Sequence, residues 1–251
     1  MIGAVGLTIG ERVYTSKLYL DSAQLLLWMF IVILLGWLCE IVILKLIKVL
    51  TTRGQKKSIK PQTDNKTFKI DKEFSLIVGD VNKSFDKKVL ENVRYKVNSG
   101  ERLALTGPTG SGKTTLLNII MDLEKADSGE VFLESYEPRT VSSVFQESSL
   151  IPDLSVDQNV LVTTNKKPIG NLVDGKLIAK DLSGGMSRCA EIQRAITADS
   201  QIVIMDEPFA GLDDKTKEKA ITYIDENLKG RAFILVTHDE EDAKLLKCTI
   251  H

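Results

Sequence analysis

Charge of one sign is missing. In 251 residues, 33 Lys and Arg stand against 34 Asp and Glu, a formal net charge of −1, which removes any bulk electrostatic case for nucleic-acid binding. Cysteines are few and scattered. Cys39, Cys189 and Cys248 form no CxxC pair, so neither a disulfide framework nor a zinc site is indicated, and a reducing compartment fits best. The marks of a cleaved signal peptide are absent too: no basic cluster precedes the long apolar run near the N-terminus, and no small-residue cleavage site follows it. That run has no charge from Leu25 to Cys39. It also lacks the polar stripe that a buried core helix carries.

The length suffices for one full-sized domain and a small appendage. A bilayer core takes about 20 residues of helix, so Ser22 to Leu44 is long enough to span it, with Glu40 near one end. The basic residues follow the span. Lys45, Lys48, Arg53, Lys56, Lys57, Lys60, Lys66 and Lys69 stand against Asp64 alone, which predicts a cytoplasmic C-terminal side. Trp28 lies near the outer end. Two roles are open to Glu40: reaching the inner headgroups or contacting a partner helix. Residues 51–72 read as a basic linker, either a tether drawn to anionic lipid or a plain solvated chain. Residues 1–50 and 73–251 are then the membrane segment and the soluble domain.

Strand-like runs, FSLIVGDV and VRYKV, open that domain. The apolar strand Leu103 to Thr106 then runs into Gly107, Pro108, Thr109, Gly110, Ser111, Gly112, Lys113, Thr114 and Thr115, followed by an apolar helical run. This is GxxxxGK[ST] in the strand-to-helix setting that gives it meaning. Glycines let the backbone wrap closely, so that its N–H groups converge on phosphates, and the following helix adds its positive N-terminus. Lys113 is placed to neutralise the β- and γ-phosphates and Thr114 to hold Mg²⁺. QIVIMDEP, residues 201–208, reads as a buried strand ending in two acids. Asp206 at its C-terminal end completes the metal shell. Glu207, one residue on, is the candidate to polarise an attacking water.

LSGGM, residues 182–186, opens a helix shortly before that acidic strand. Ser183, Gly184 and Gly185 form a second anion-binding helix start. Two chains arranged head to tail can each supply one such end to a shared phosphate group. The motif resembles the signature of the ATP-binding cassette (ABC) family. Gln146 in SVFQESSLIP resembles its Q-loop, FAGLDD with Asp213 its D-loop, and VTHD with His238 its switch segment; Phe85 stands where the family stacks an aromatic on adenine. The six motifs run in order across residues 74–240.

The resemblance implies an α/β P-loop fold with a parallel sheet core, an antiparallel β edge layer and a shortened helical subdomain. It implies ATP and Mg²⁺ as cofactors. Glu207, His238 and Gln146 would be catalytic: Glu207 would activate water, His238 hold the γ-phosphate, and Gln146 sense Mg²⁺. Ser183, Gly184 and Gly185 would act on the ATP of a second cassette in a head-to-tail homodimer. Other implied partners are a membrane permease and an extracytoplasmic solute-binding protein. The expected location is the cytoplasmic membrane, single-pass, with the cassette inside.

The first 50 residues resemble the end of permeases in the nitrate, sulfonate and taurine import class, and FQESSLIPDLSVDQNV resembles cassettes of that class. A single helix makes no translocation path, so either a fuller permease is a separate partner or the chain is part of a permease–ATPase fusion. Three departures from the family pattern stand out. Gln146 and Leu182 are close, Arg188 and Cys189 replace a common Gln and Arg, and little chain follows His238. The expected function is import of a small anion. The competing readings are an anchored exporter ATPase and an ATP-binding module without turnover.

Overall fold

The computed structural model describes Tyr14, Ser22–Gly54, Ile70, and residues 73–108, 110–135 and 138–251. Thr109, most of the basic linker and nearly all of the permease-like stretch before Ser22 lie outside these residues. Two units divide the chain, Met1–Ile59 and Lys60–His251.

The first unit contains helix α1, Ser22–Gly54. Leu26–Lys45 within it has a mean hydropathy of 2.6 and is long and apolar enough to cross a membrane. Its apolar side chains are exposed, among them Leu26, Phe30, Ile33, Trp37 and Leu44. At 1.5 Å per residue the whole helix is about 50 Å long, more than the ~30 Å of a hydrocarbon core. It continues to Gly54, four residues into the stretch read from sequence as linker. Of these four only Arg53 is a good helix former; Thr51, Thr52 and Gly54 extend a helix already nucleated by the long run before them.

The second unit is built from two sheets. Strands β1 (Ser75–Ser84), β2 (Lys88–Asn98) and β4 (Ser128–Glu134) form an antiparallel sheet in the order β2-β1-β4. Five parallel strands form the other, in the order β5-β6-β7-β3-β8: β3 (Arg102–Leu105), β5 (Val141–Val144), β6 (Ile202–Asp206), β7 (Ala232–Val236) and β8 (Thr249–Ile250). Strands β6 and β7 are buried at every position, as central parallel strands are.

Alternation along these strands separates two cores. Leu103, Leu105, Ile202, Ile204, Ile234 and Val236 face the antiparallel sheet and helix α2, Lys113–Ile120, which contributes Leu116, Leu117, Ile119 and Ile120. Ala104, Val203, Met205, Phe233 and Leu235 face the other way. They meet Ile192, Ala195 and Ile196 of α4 (Gly184–Thr197), and Ala220, Tyr223 and Ile224 of α5 (Asp214–Asn227).

The helical insert between β5 and α4 is short, as the spacing predicts. It holds α3, Val156–Thr164, and one 3₁₀ turn, Ala179–Asp181. Ser155 and Gln158 cap α3 reciprocally: the Ser155 hydroxyl accepts from the Gln158 N–H, and the Gln158 side chain accepts from the Ser155 N–H. A small cluster of Val156, Val173, Cys189 and Ala190 joins the insert to α4. After His238 the chain forms α6, Glu240–Leu245, and then β8, which adds to the sheet beside β3.

Candidate functional site

The site lies at the C-terminal ends of the parallel strands, where open α/β sheets place their ligands. β3 ends at Leu105, and the loop that follows turns on glycines. Gly107, Gly110 and Gly112 have φ of 137°, 83° and 91°, values that glycine adopts freely. At Gly112 a Cβ would lie 2.7 Å from Leu90 Cδ2 and 2.9 Å from the Val89 carbonyl oxygen, so the position excludes any side chain. Gly112 is also the N-cap of α2. Helix α2 thus points its positive end into the loop. The Lys113 ammonium turns back over the loop, donating to the carbonyls of Gly107 at 2.7 Å and Pro108 at 3.0 Å.

β7 lies between β3 and β6 in the sheet, yet the ends of β3 and β6 converge through α2. The Thr114 hydroxyl donates to Asp206 Oδ2 at 3.2 Å. Burial pushes the Asp206 carboxyl above the ordinary aspartate value; the Thr114 bond pulls it down, the Glu207 charge raises it, and Lys113 and Arg188 lower it. A group held this way gains when a cation reaches it.

Glu207 follows with φ of 48°, unusual for a side chain larger than glycine and a small store of backbone strain. Its N–H donates to the Val236 carbonyl at 2.9 Å, which locks the turn onto β7. The turn sends Glu207 and Asp206 in different directions. The Glu207 carboxylate meets His238 Nδ1 at 2.9 Å. That hydrogen bond, with the charge behind it, raises the exposed His238 imidazole above its ordinary pKa; burial opposes the shift weakly, and Asp239 and Asp242 reinforce it.

One cleft of about 330 Å³ gathers most of these parts, and His238 is not among the residues that line it. Phe85, Gly110, Gly112, Lys113, Thr114, Thr115, Gln146, Asp206 and Glu207 line it, together with Val89 and Val236. Phe85 is exposed, and the Lys83 ammonium sits 5.0 Å from its ring centroid. An exposed aromatic at the mouth, a loop that admits no side chain at Gly112, one lysine and a hydroxyl–carboxylate pair fit a nucleotide with its phosphates and a divalent cation. Among the described residues no cluster of three His, Cys, Asp or Glu side chains could hold a metal by itself. Val89 carries no motif and was not legible in advance.

Ser183, Gly184, Gly185 and Asp213 lie elsewhere. Ser183 caps α4 by accepting from the Met186 N–H at 3.3 Å. Gly184 and Gly185 line a separate cleft of about 320 Å³ with Ser148, Ala210 and Gly211. Asp213 caps α5, accepting from the N–H and hydroxyl of Thr216 at 3.0 and 2.6 Å. The signature and D-loop segments therefore share one surface that the phosphate loop does not reach in the same chain.

Residues 90–210 match the family described as ABC transporter. A dimeric structure of a bacterial ABC transporter cassette aligns at a TM-score of 0.60 and 27% identity, over 68% of this chain and 90% of that one. This unit has the ABC cassette fold, a P-loop α/β fold. A second cassette structure, a post-hydrolysis dimer bound to ADP and Pi, aligns at a TM-score of 0.58 and 27% identity, over 68% of this chain and 90% of that one. Among curated relatives, the spermidine/putrescine import ATP-binding protein PotA of Legionella pneumophila is 36% identical over 180 residues, 62% of this chain and 50% of that protein. The probable sulfate/thiosulfate import ATP-binding protein CysA of Chlorella vulgaris is 29% identical over 195 residues, 67% of this chain and 83% of that protein. The chain spans about half the length of the PotA relatives it matches.

Proposed function

We propose that the cassette binds and hydrolyses Mg²⁺-ATP to drive import of a small solute across the cytoplasmic membrane. One observation carries the reading. A metal-type pair, Thr114 with Asp206 at 3.2 Å, lines one cleft together with Glu207, whose carboxylate meets His238 at 2.9 Å. Thr114, Asp206 and Gln146 would hold the metal, which would spread the charge of the phosphate chain. Gly107, Pro108, Thr109, Gly110, Ser111, Gly112, Lys113 and Thr115 would hold the phosphates, with Phe85 on the base. The Glu207 carboxylate would orient the attacking water and accept its proton, and the His238 imidazole would hold both the carboxylate and the γ-phosphate oxygen in place. Ser183, Gly184, Gly185 and Asp213 would complete the site of a second cassette.

Import is supported by the names of the relatives, which are import subunits for polyamines and for sulfate or thiosulfate. A small anion is supported by the resemblance of FQESSLIP and LSGGM to the nitrate, sulfonate and taurine class. On this reading α1 is a single-pass anchor in contact with lipid, the cassette lies on the cytoplasmic side, and a permease and a solute-binding protein complete the system. The test is phosphate release from Mg²⁺-ATP by the full chain in lipid nanodiscs. Turnover that Glu207→Gln abolishes, with nucleotide affinity retained, supports the ATPase. Turnover that survives Glu207→Gln contradicts the assigned base.

A further inference from the structure

Helix α4 grips the segment that carries Gln146. Three side chains spaced along one face of the helix reach it. The Arg188 guanidinium donates to the carbonyls of both Phe145 and Gln146, the latter at 2.6 Å. The Glu191 carboxylate accepts from the Ser149 N–H at 2.7 Å and from Arg188 at 3.2 Å. Arg194 donates to the carbonyl and hydroxyl of Ser149. Glu191 is 1% exposed, so its charge is stable only with these partners. Residues 145–149 are therefore held by a buried ion pair that starts four residues into the signature helix. The position of Arg188 is one where this chain departs from the family's usual Gln. Arg188 and Glu191 line the signature cleft with Gly184 and Gly185, whereas Gln146 lines the other cleft with Thr114 and Asp206.

We propose that Arg188, anchored by Glu191, is a positioning residue that fixes the backbone of Gln146 and so sets the distance from its side chain to the metal beside Asp206. A planar guanidinium spanning two successive carbonyls restrains both translation and rotation of the segment, which a lysine ammonium cannot do. The signature end of α4, which faces outward, and Gln146, which lines the nucleotide cleft, are thereby joined by one side chain.

The inference uses the ATPase reading for its kinetic readout and stands separately on exchange rates. The full chain in nanodiscs is measured as wild type, Arg188→Ala, Arg188→Lys, Gln146→Ala and the double variant Arg188→Ala/Gln146→Ala, for kcat and for the Mg²⁺ concentration giving half-maximal turnover. Arg188→Ala is expected to lower kcat about 10-fold and to raise the half-saturating Mg²⁺. Arg188→Lys, which keeps the charge and preserves folding, is expected to shift both in the same direction. On the Gln146→Ala background, loss of Arg188 should change kcat less than about 2-fold, since the two act through one contact. Independent, multiplying losses would overturn the proposal. Hydrogen exchange reads the grip without turnover: amides of 145–149 should exchange about 10-fold faster in Arg188→Ala while those of β6 and β7 stay protected. Unchanged exchange at 145–149 would overturn the proposal even if the wild-type chain hydrolysed no ATP, a result that by itself would count only against the ATPase.

Discussion

Glu207 and His238 are coupled at short range, and the sign of that coupling can be worked out. The folded His238 pKa lies above the model-peptide value of 6.5, chiefly because its Nδ1 bonds the Glu207 carboxylate. The contribution of this pair is fully present below the unfolded pKa and is lost as pH rises through the folded one. Glu207→Gln removes the carboxylate and leaves a neutral partner, so His238 should titrate closer to 6.5, with Asp239 and Asp242 still raising it weakly. Imidazole resonances in NMR read this directly, and the sequence has only one other histidine, His251. A titration midpoint unmoved by Glu207→Gln would remove the pairing from the account. Asp206 behaves differently: burial raises it, so protons compete with the cation there as pH falls.

At the scale of elements, a few buried polar side chains hold the short insert. Asn159 is fully buried. Its side chain accepts from the Ile151 N–H at 2.7 Å and donates to the carbonyls of Ile151, Leu154 and Ser155. Gln193 on α4 does the same for the next stretch, accepting from the Leu172 and Val173 N–H groups and donating to the Gly170 carbonyl. Asn159→Ala strands these backbone groups and should cost about 2 kcal/mol. Urea unfolding of the full chain checks this, through a lower midpoint of the cassette transition at unchanged slope. A midpoint equal to wild type would show that the insert is held by its apolar contacts alone.

Element type was legible where the pattern was strong. The continuous apolar runs of β6 and β7, the strand–loop–helix around Gly107–Thr114 and the Ser183 cap each follow from local residue chemistry. The insert was legible only as a spacing, because its shape depends on Asn159, Glu191 and Gln193. These polar side chains read as surface in a sequence and become interior only once α4 docks. The Arg188 grip was hidden for the same reason. It appeared as a departure from a pattern, and its partners are the backbone carbonyls of residues 145 and 146, which no motif records. The reach of α1 to Gly54 was missed because Thr51, Thr52 and Gly54 are poor helix formers and suit a linker.

For the whole molecule, the two clefts are the decisive feature. The phosphate cleft ends at Thr114, Asp206 and Glu207, whereas Gly184 and Gly185 line the other. On the proposed function, a chain built this way would hold both halves of an ATPase site and set them apart, and two chains facing each other would bring the halves together. Mixing two silent variants tests this. Lys113→Ala removes the lysine proposed to bind the phosphates. Gly184→Asp sets a negative charge at the signature helix start, where a Cβ meets nothing within 4 Å, so the fold should persist. Each variant alone should be inactive. The account predicts that the mixture regains Mg²⁺-dependent ATP hydrolysis, because a mixed pair has one site with an intact phosphate loop from one chain and an intact signature from the other. A mixture as silent as its components, with paired chains shown by cross-linking, would contradict it.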